Sequence, residues 1–379
     1  GEIHLMSRNP VLASANKLKL GTFCTNGPGA AHSLAQEANQ LTWPLAVEVA
    51  KEVDRAGFEA IVPYARWKGY IKDQPNHISG DVLDPFTFAA AIAQATKQVG
   101  IFVTSHAPTI HPIVAAKQTA TIDIISDGRL AINVVGGWNR PELEMFGAPL
   151  REHDQRYDYL AEWLYVLKRL WSASDEFDHH GEFFDVIRGI SNPKPVQTPH
   201  PPIMNAGHSE RGRSFACEHA DLCFIGIRSE APESIRSEVD KYKGTAREQF
   251  GREVQVWAHT YVVQRDTQKE ADDYVEYYAV EHQDRASIDG LINLSVPEVQ
   301  NMPREAWEAL RKRYAAGFGG FPLVGTAERI AERLDMLSNA GLDGVLLTWV
   351  DFVEGAKMFN RDVLPLLEQS GLRKPFADV

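Results

Sequence analysis

Between Val99 and Trp138 the chain reads as strand, helix, strand, and both strands run into small polar residues. Val99–Val103 is apolar and continues into Thr104, Ser105 and His106. Leu130–Val135 carries Asn133 and continues into Gly136, Gly137 and Trp138. Pro112 opens the segment between them, with apolar residues at Ile113, Ala116, Ala120 and Ile124, a helical spacing. A strand–helix–strand unit of this length builds a parallel sheet. Its polar residues collect at the carboxyl ends of the strands, where α/β enzymes carry their chemistry.

The same rhythm extends along the chain. Expected strands are Lys17–Thr25, Phe58–Pro63, Ile203–Ala206, Asp221–Gly226, Val254–Val263 and Gly344–Val350, besides the two above. Thr42 reads as the cap of a helix with Pro44 in its first turn and apolar residues Ala46, Val49, Ala50 and Val53. Tyr157, Leu160, Leu164, Leu167 and Trp171 form the apolar face of another helix. Residues 179–202 are irregular, with room for a small hairpin. From Thr267 to Pro322 the rhythm breaks into acidic and aromatic helical stretches, with glycines at 317, 319 and 320 that suit a hinged lid. Eight strands alternating with helices predict an α/β fold, a (β/α)8 TIM barrel with insertions. Residues 1–16 are expected as an N-terminal extension, with GEIHL before Met6 left out of the fold reasoning. Residues 17–379 are expected as one barrel domain with an insertion at about 267–322.

Charge and composition narrow the partners. The net charge of −12, from 51 acidic against 39 basic residues, opposes a nucleic-acid partner. No apolar run approaches the roughly 18–20 residues of a membrane span. Cys24, Cys217 and Cys223 fit neither a zinc knuckle nor a disulfide framework and read as reduced thiols of a cytoplasmic protein. No His-x-His, H-E-x-x-H, G-x-S-x-G, G-x-G-x-x-G or Walker motif occurs, so no metal site is expected and neither a serine hydrolase nor a Rossmann enzyme is indicated.

Several polar groups then compete for a functional role. Asn133 either ties down a turn or faces the barrel mouth, where Gly136 and Gly137 admit a flat ligand close to the backbone. Gly207-His208-Ser209 joins a strand to a helix and is either an ordinary cap by Ser209 or a phosphate cradle of helix-start amides. Arg156 and Tyr157 open a helix and could supply a cation and a phenol to the same ligand. The long loop Tyr64–Asp84 holds Arg66-Trp67-Lys68, an anion site or a solvated turn.

The stretches ATIDIISDGRLAINVVGGWNRPELEMFG, HDQRYDYLAEWLYVLKRLW, PIMNAGHSERG and GLDGVLLTWVDF resemble the bacterial luciferase-like flavin monooxygenases, and within them the branch of the pyrimidine and dimethylsulfone monooxygenases. The resemblance runs from about Leu18 to Leu367 and is weakest in the Thr267–Pro322 segment. It implies a (β/α)8 barrel, dimeric or of higher order, that takes reduced FMN as a dissociable cosubstrate. A separate flavin reductase using NAD(P)H would supply that FMN, and dioxygen would be the second substrate.

The resemblance also assigns residues. Asn133 and Glu142 would lie beside the flavin, Arg156 and Tyr157 near its ribityl phosphate, and Gly207 and Ser209 at the phosphate. Ala65 and Arg66 match two further FMN-contacting positions, the second being a lysine in the pyrimidine enzyme. Thr104 and Asn133 match a catalytic pair that holds dioxygen against flavin nitrogen 5, where a flavin peroxide would form and cleave a C–N or C–S bond of a small heterocyclic amide or sulfone. His106 and Pro108 depart from the pyrimidine pattern. Two alternatives share the fold: a deazaflavin-dependent oxidoreductase, and a flavin-binding protein without turnover.

Overall fold

The computed structural model describes residues 8–295 and 302–377. The first seven residues of the expected extension, residues 296–301 of the expected insertion, and the last two residues lie outside the described residues.

Eight parallel strands close into a barrel, numbered here in chain order: β1 (Lys19–Phe23), β2 (Ala60–Val62), β3 (Gly100–His106), β4 (Leu130–Val135), β5 (Ile203–Asn205), β6 (Leu222–Ile225), β7 (Gln255–Gln264) and β8 (Gly344–Thr348). Each pairs with the next, and β8 returns to β1 through Lys19↔Gly344 to Thr22↔Leu347. All eight expected strands are therefore present, each shifted by at most a few residues.

Strand alternation sorts the side chains into two shells. Outward residues such as Leu20, Ile101, Val103, Ile132, Val256 and Leu347 pack under the helices. Inward residues Ala60, Val62, Phe102, Ala131, Met204, Leu222, Trp257 and Leu346 fill the barrel, and Val11 plugs it from below. Burying each large side chain in these shells is worth about 1.5–3 kcal/mol. The same parity puts Thr104 two residues above Phe102, and Asn133 two above Ala131, on the inner face at the carboxyl end.

The amino-terminal rim is closed by buried or half-buried carboxylates that accept strand-start amides. Glu59 takes Leu20 N at 2.8 Å, and Asp54 takes Val99 N at 2.9 Å. Asp123 takes Leu130 N at 3.2 Å, Asp221 takes Ile203 N at 2.9 Å, and Asp343 takes Val256 N at 2.8 Å. Arg373 donates to Glu59 at 2.8 Å and to the Gly57 carbonyl at 2.9 Å, both side chains being almost wholly buried.

Three local expectations are corrected. Thr42 precedes the helix Trp43–Arg55 but its side chain makes no capping bond. The helix Pro112–Ile125 is set by His111, whose ring accepts from Ile113 N. It buries Ala115, Ala116, Thr119, Ala120 and Ile122 while Ile113 and Ile124 stay exposed, because small residues let the helix approach its neighbours closely. Phe321–Gly325 is an additional parallel strand. It pairs with β7 from Thr260 to Gln264, beyond Ala258 where short β6 ends, and so satisfies an edge otherwise left open. The possible hairpin within the irregular stretch is present as Phe177–His180 and Asp185–Gly189.

Between β7 and that strand lie the helices Gln268–Glu276, Arg285–Ser295 and Arg304–Gly317. They form a second core with Ala35 and Ala38 of the loop after β1 and with Tyr261 and Val263 of β7. The glycines at its end are close-approach points: a Cβ at Gly317 would meet Tyr261 at 2.4 Å, and one at Gly320 would meet His259 at 3.0 Å.

Candidate active site

The inner face at the carboxyl end of the barrel carries Phe23, Thr104, Asn133, His259 and Thr348. Thr104 and Asn133 sit side by side in register on β3 and β4. The Thr104 hydroxyl donates to the Pro63 carbonyl at 2.6 Å, so its hydrogen is spent. Asn133 Nδ2 donates to Thr104 Oγ1 at 3.3 Å. That leaves Asn133 Oδ1, a buried acceptor, without a partner among the described residues. An acceptor in that state costs free energy unless a ligand N–H or O–H reaches it.

Glu142 is buried and both its oxygens are engaged. Oε1 faces His106 Nδ1 at 3.0 Å and Oε2 accepts Trp67 N at 3.0 Å. The helix Arg140–Met145 presents it, capped by Asn139, whose side chain accepts Glu142 N. Glu142 thus ties the loop after β2 to the end of β3. The His106–Glu142 pair was not singled out from the sequence, since the two residues are 36 positions apart and nothing in their spacing marks them.

Arg156, Tyr157, Gly207 and Ser209 come together where two helices begin. The helix His153–Ser172 carries Arg156 and Tyr157, and Ser209 caps the helix Glu210–His219. Ser209 Oγ accepts Gly212 N at 3.0 Å and lies 2.7 Å from His153 Nε2. A Cβ at Gly212 would meet the Tyr157 hydroxyl at 2.4 Å, and one at Gly207 would meet the Gly212 carbonyl oxygen at 2.3 Å. Glycine is therefore required at both places for the turn and the helix to close on each other. Gly207 N is not free, as the sequence reading supposed of this turn: it donates to Asn205 Oδ1 at 2.9 Å. Asn205 Nδ2 in turn donates to the Val134 carbonyl at 2.8 Å, which locks the turn to β4. Only its place at a strand end could have marked Asn205. Arg156 also lines a cleft with Gly136, Gly137, Pro108 and Leu143, at the end of the strand that carries Asn133.

Ala65 and Arg66 follow β2, and both are buried. The Arg66 side chain turns to the rings of Tyr70, Tyr64 and Phe318, at 4.1, 5.0 and 5.9 Å. The loop is thus not a solvated turn at Arg66, although Trp67 is exposed. On the opposite wall His259 Nε2 lies 2.8 Å from Thr348 Oγ1. Burial, and then the charge of Arg313, push the His259 pKa down to about 3, so the ring is neutral. The three cysteines are free and buried, and burial pushes the Cys24 thiol up, away from reactivity. Among the described residues no cluster of His, Cys, Asp and Glu could hold a metal ion, and no helix is long and apolar enough to cross a membrane.

One family model, luciferase-like monooxygenase, matches residues 18–344 of this barrel. The chain belongs to that family of flavin monooxygenases. It is 32% identical over 330 residues to the FMNH2-dependent dimethylsulfone monooxygenase of Pseudomonas putida, covering 85% of this chain and 87% of that protein. It is 30% identical over 358 residues to the pyrimidine monooxygenase RutA of Allorhizobium ampelinum, covering 92% and 96%. The crystal structure of the long-chain alkane monooxygenase LadA superposes with a TM-score of 0.84 at 23% identity, covering 96% of this chain and 93% of that one, a likeness of fold.

Proposed function

We propose that the protein is a two-component monooxygenase that takes reduced FMN from a separate NAD(P)H-dependent flavin reductase and uses dioxygen to cleave a C–N or C–S bond. The substrate would be a small heterocyclic amide or a sulfone-type compound. The observation that carries this reading is the orphaned Asn133 Oδ1 at the barrel mouth. Reduced flavin differs from oxidised flavin in carrying an added ring N–H, a donor suited to that acceptor. The rest of the donor set agrees. Arg156, Tyr157 and Ser209 would hold the phosphate end, with the amides that follow Gly207, other than those of Gly207 and Gly212, directed to it from the start of the helix Glu210–His219. Ala65, Arg66 and Glu142 would border the ring on the side of the loop after β2.

FMN, when bound, supplies the electrons that activate dioxygen. Asn133 orients the ring and is itself held by Thr104, whose hydrogen is fixed on Pro63. The pair is thus fixed in place before FMN binds, Thr104 having no hydrogen left to donate and the second Nδ2 hydrogen of Asn133 being the donor left for charge developing on oxygen. Trp138, stacked on Tyr70 at 6.0 Å, and Phe318, stacked on His32 at 5.9 Å, exclude water above it. The described helices Gln268–Glu276 and Arg304–Gly317 would form the cover of that mouth. The exposed Ile113, Val114, Ile124 and Ile125 on one helix support a homodimer, and three free buried thiols support a cytoplasmic setting.

The test is an anaerobic titration with reduced FMN, oxidised FMN and reduced deazaflavin, followed by an oxygen pulse in the presence of dimethyl sulfone or uracil. Tighter binding of reduced FMN and oxygen-dependent product are expected. Preference for deazaflavin with no reaction towards oxygen would move the protein to hydride transfer.

A further inference from the structure

Three described arginines are buried to a similar degree, and two of them are fully answered. Arg129 donates to Ser126 O, Thr96 Oγ1, Val99 O, Ala93 O and Thr96 O. Arg373 has Glu59 and two carbonyls. Arg66, 8% exposed, has one long bond, to the Ser79 carbonyl at 3.4 Å. Among the described residues no carboxylate pairs with it. Asp284 borders the same cleft but is taken by His77 Nε2 at 3.0 Å and Ser287 N at 3.2 Å. A buried cation left without a counter-charge is costly, and aromatic faces return only part of that cost.

The groups around Arg66 can also donate. The Tyr70 hydroxyl is buried without a partner, and its ring lies 4.1 Å from the guanidinium. His32 lies 3.0 Å from Ser287 Oγ through Nδ1, while its Nε2 is buried and unpartnered. Burial first, then the charge of Arg66, push the His32 pKa down to about 3, so the ring is neutral and can carry its hydrogen on Nε2. A fixed cation and two unanswered donors are thus gathered at one side of the mouth.

This side is not the phosphate side. Arg66 follows β2 and Ser209 follows β5, with β3 and β4 between them in the barrel. Arg66 leans the other way, towards His32 after β1 and Phe318 at the end of the helix Arg304–Gly317. We propose that Arg66, with the Tyr70 hydroxyl and His32 Nε2, forms a subsite for a negatively charged oxygen group of the substrate, a carboxylate or a sulfonate. The assignment rests on the reading of the barrel mouth as a flavin and substrate site, and it narrows the amide or sulfone-type substrate to one that also carries a carboxylate or sulfonate group.

The experiment uses isothermal titration of the full chain, loaded with oxidised FMN, with two near-isosteric pairs: methanesulfonate against dimethyl sulfone, and acetate against acetamide. At least one anion is expected to bind about tenfold or more tightly than its neutral partner. The arm that shows the larger preference separates sulfonate from carboxylate. Arg66→Met is expected to remove the preference, with any loss of FMN affinity smaller than the loss of anion affinity. Tyr70→Phe keeps the ring and the fold, and should weaken the anion about fivefold with the neutral ligand unmoved. Equal binding of anion and neutral partner by the unmodified protein overturns the proposal. So does a loss of FMN in Arg66→Met as large as the loss of anion, which would give the guanidinium to the flavin. If the unmodified chain binds no FMN in either redox state but still binds methanesulfonate or acetate through Arg66, the subsite stands and the flavin reading falls.

Discussion

The two ends of the barrel treat buried polar groups in opposite ways. At the amino-terminal end five carboxylates accept strand-start amides, Arg129 makes five bonds to its surroundings, and Arg373 and Glu59 satisfy each other. At the carboxyl end Asn133 Oδ1, the Tyr70 hydroxyl, His32 Nε2 and Ser105 Oγ have no partner among the described residues. At the first end these groups answer one another within the fold. At the other the unmet hydrogen bonds are ones that a bound ligand would answer.

Substitutions can break or sharpen that contrast. The largest effect is expected from Arg373→Met, which strands the Glu59 carboxylate in the core: stability should fall by about 3–5 kcal/mol. Urea unfolding measures it, and surviving protein should bind FMN normally. Asn133→Ala should do the reverse, with an unfolding midpoint close to the parent and product formation down by about 10²–10³-fold, or about 2.7–4 kcal/mol. Unchanged coupled turnover would remove Asn133 from the reaction.

A smaller effect depends on pH. His259 stays neutral in the fold down to about pH 3, whereas the unfolded chain protonates it near 6.5. Between those values the unfolded state holds more protons, so the stabilising contribution is fully present above about pH 6.5 and is lost as pH falls through the window. Its slope is at most about 1.4 kcal/mol per pH unit. His259→Leu should flatten the stability curve between pH 4 and 6 by up to about that amount, read from urea midpoints along the series. The smallest effect is that of Ser209→Ala, about 1 kcal/mol for the lost cap of Gly212 N. Fluorescence titration would show whether FMN affinity falls with it. An unchanged affinity would leave Ser209 as a helix cap alone.

Much of this was legible along the chain. Period-two and period-3.6 patterns placed all eight barrel strands, and the run from Ala120 to Trp171 carried the family resemblance. Thr104 and Asn133 stood out as polar residues ending apolar strands. The strand Phe321–Gly325 was missed because Pro322 and the neighbouring glycines read as loop, and because its partner edge exists only where β6 stops short. The Thr42 side chain failed as a cap although its residue type favours one.

The sequence by itself determined the alternation of strands and helices, the small helix-facing residues, and the polar strand ends, since these depend on local periodicity and residue size. Only the tertiary structure decided which hydrogen bonds are met. The spending of the Thr104 hydrogen on Pro63, the closure of Glu142 on His106 and Trp67, and the lack of a carboxylate for Arg66 among the described residues are relations between distant segments. A buried polar group is satisfied or orphaned by what packs against it, and no one-dimensional pattern records that neighbour.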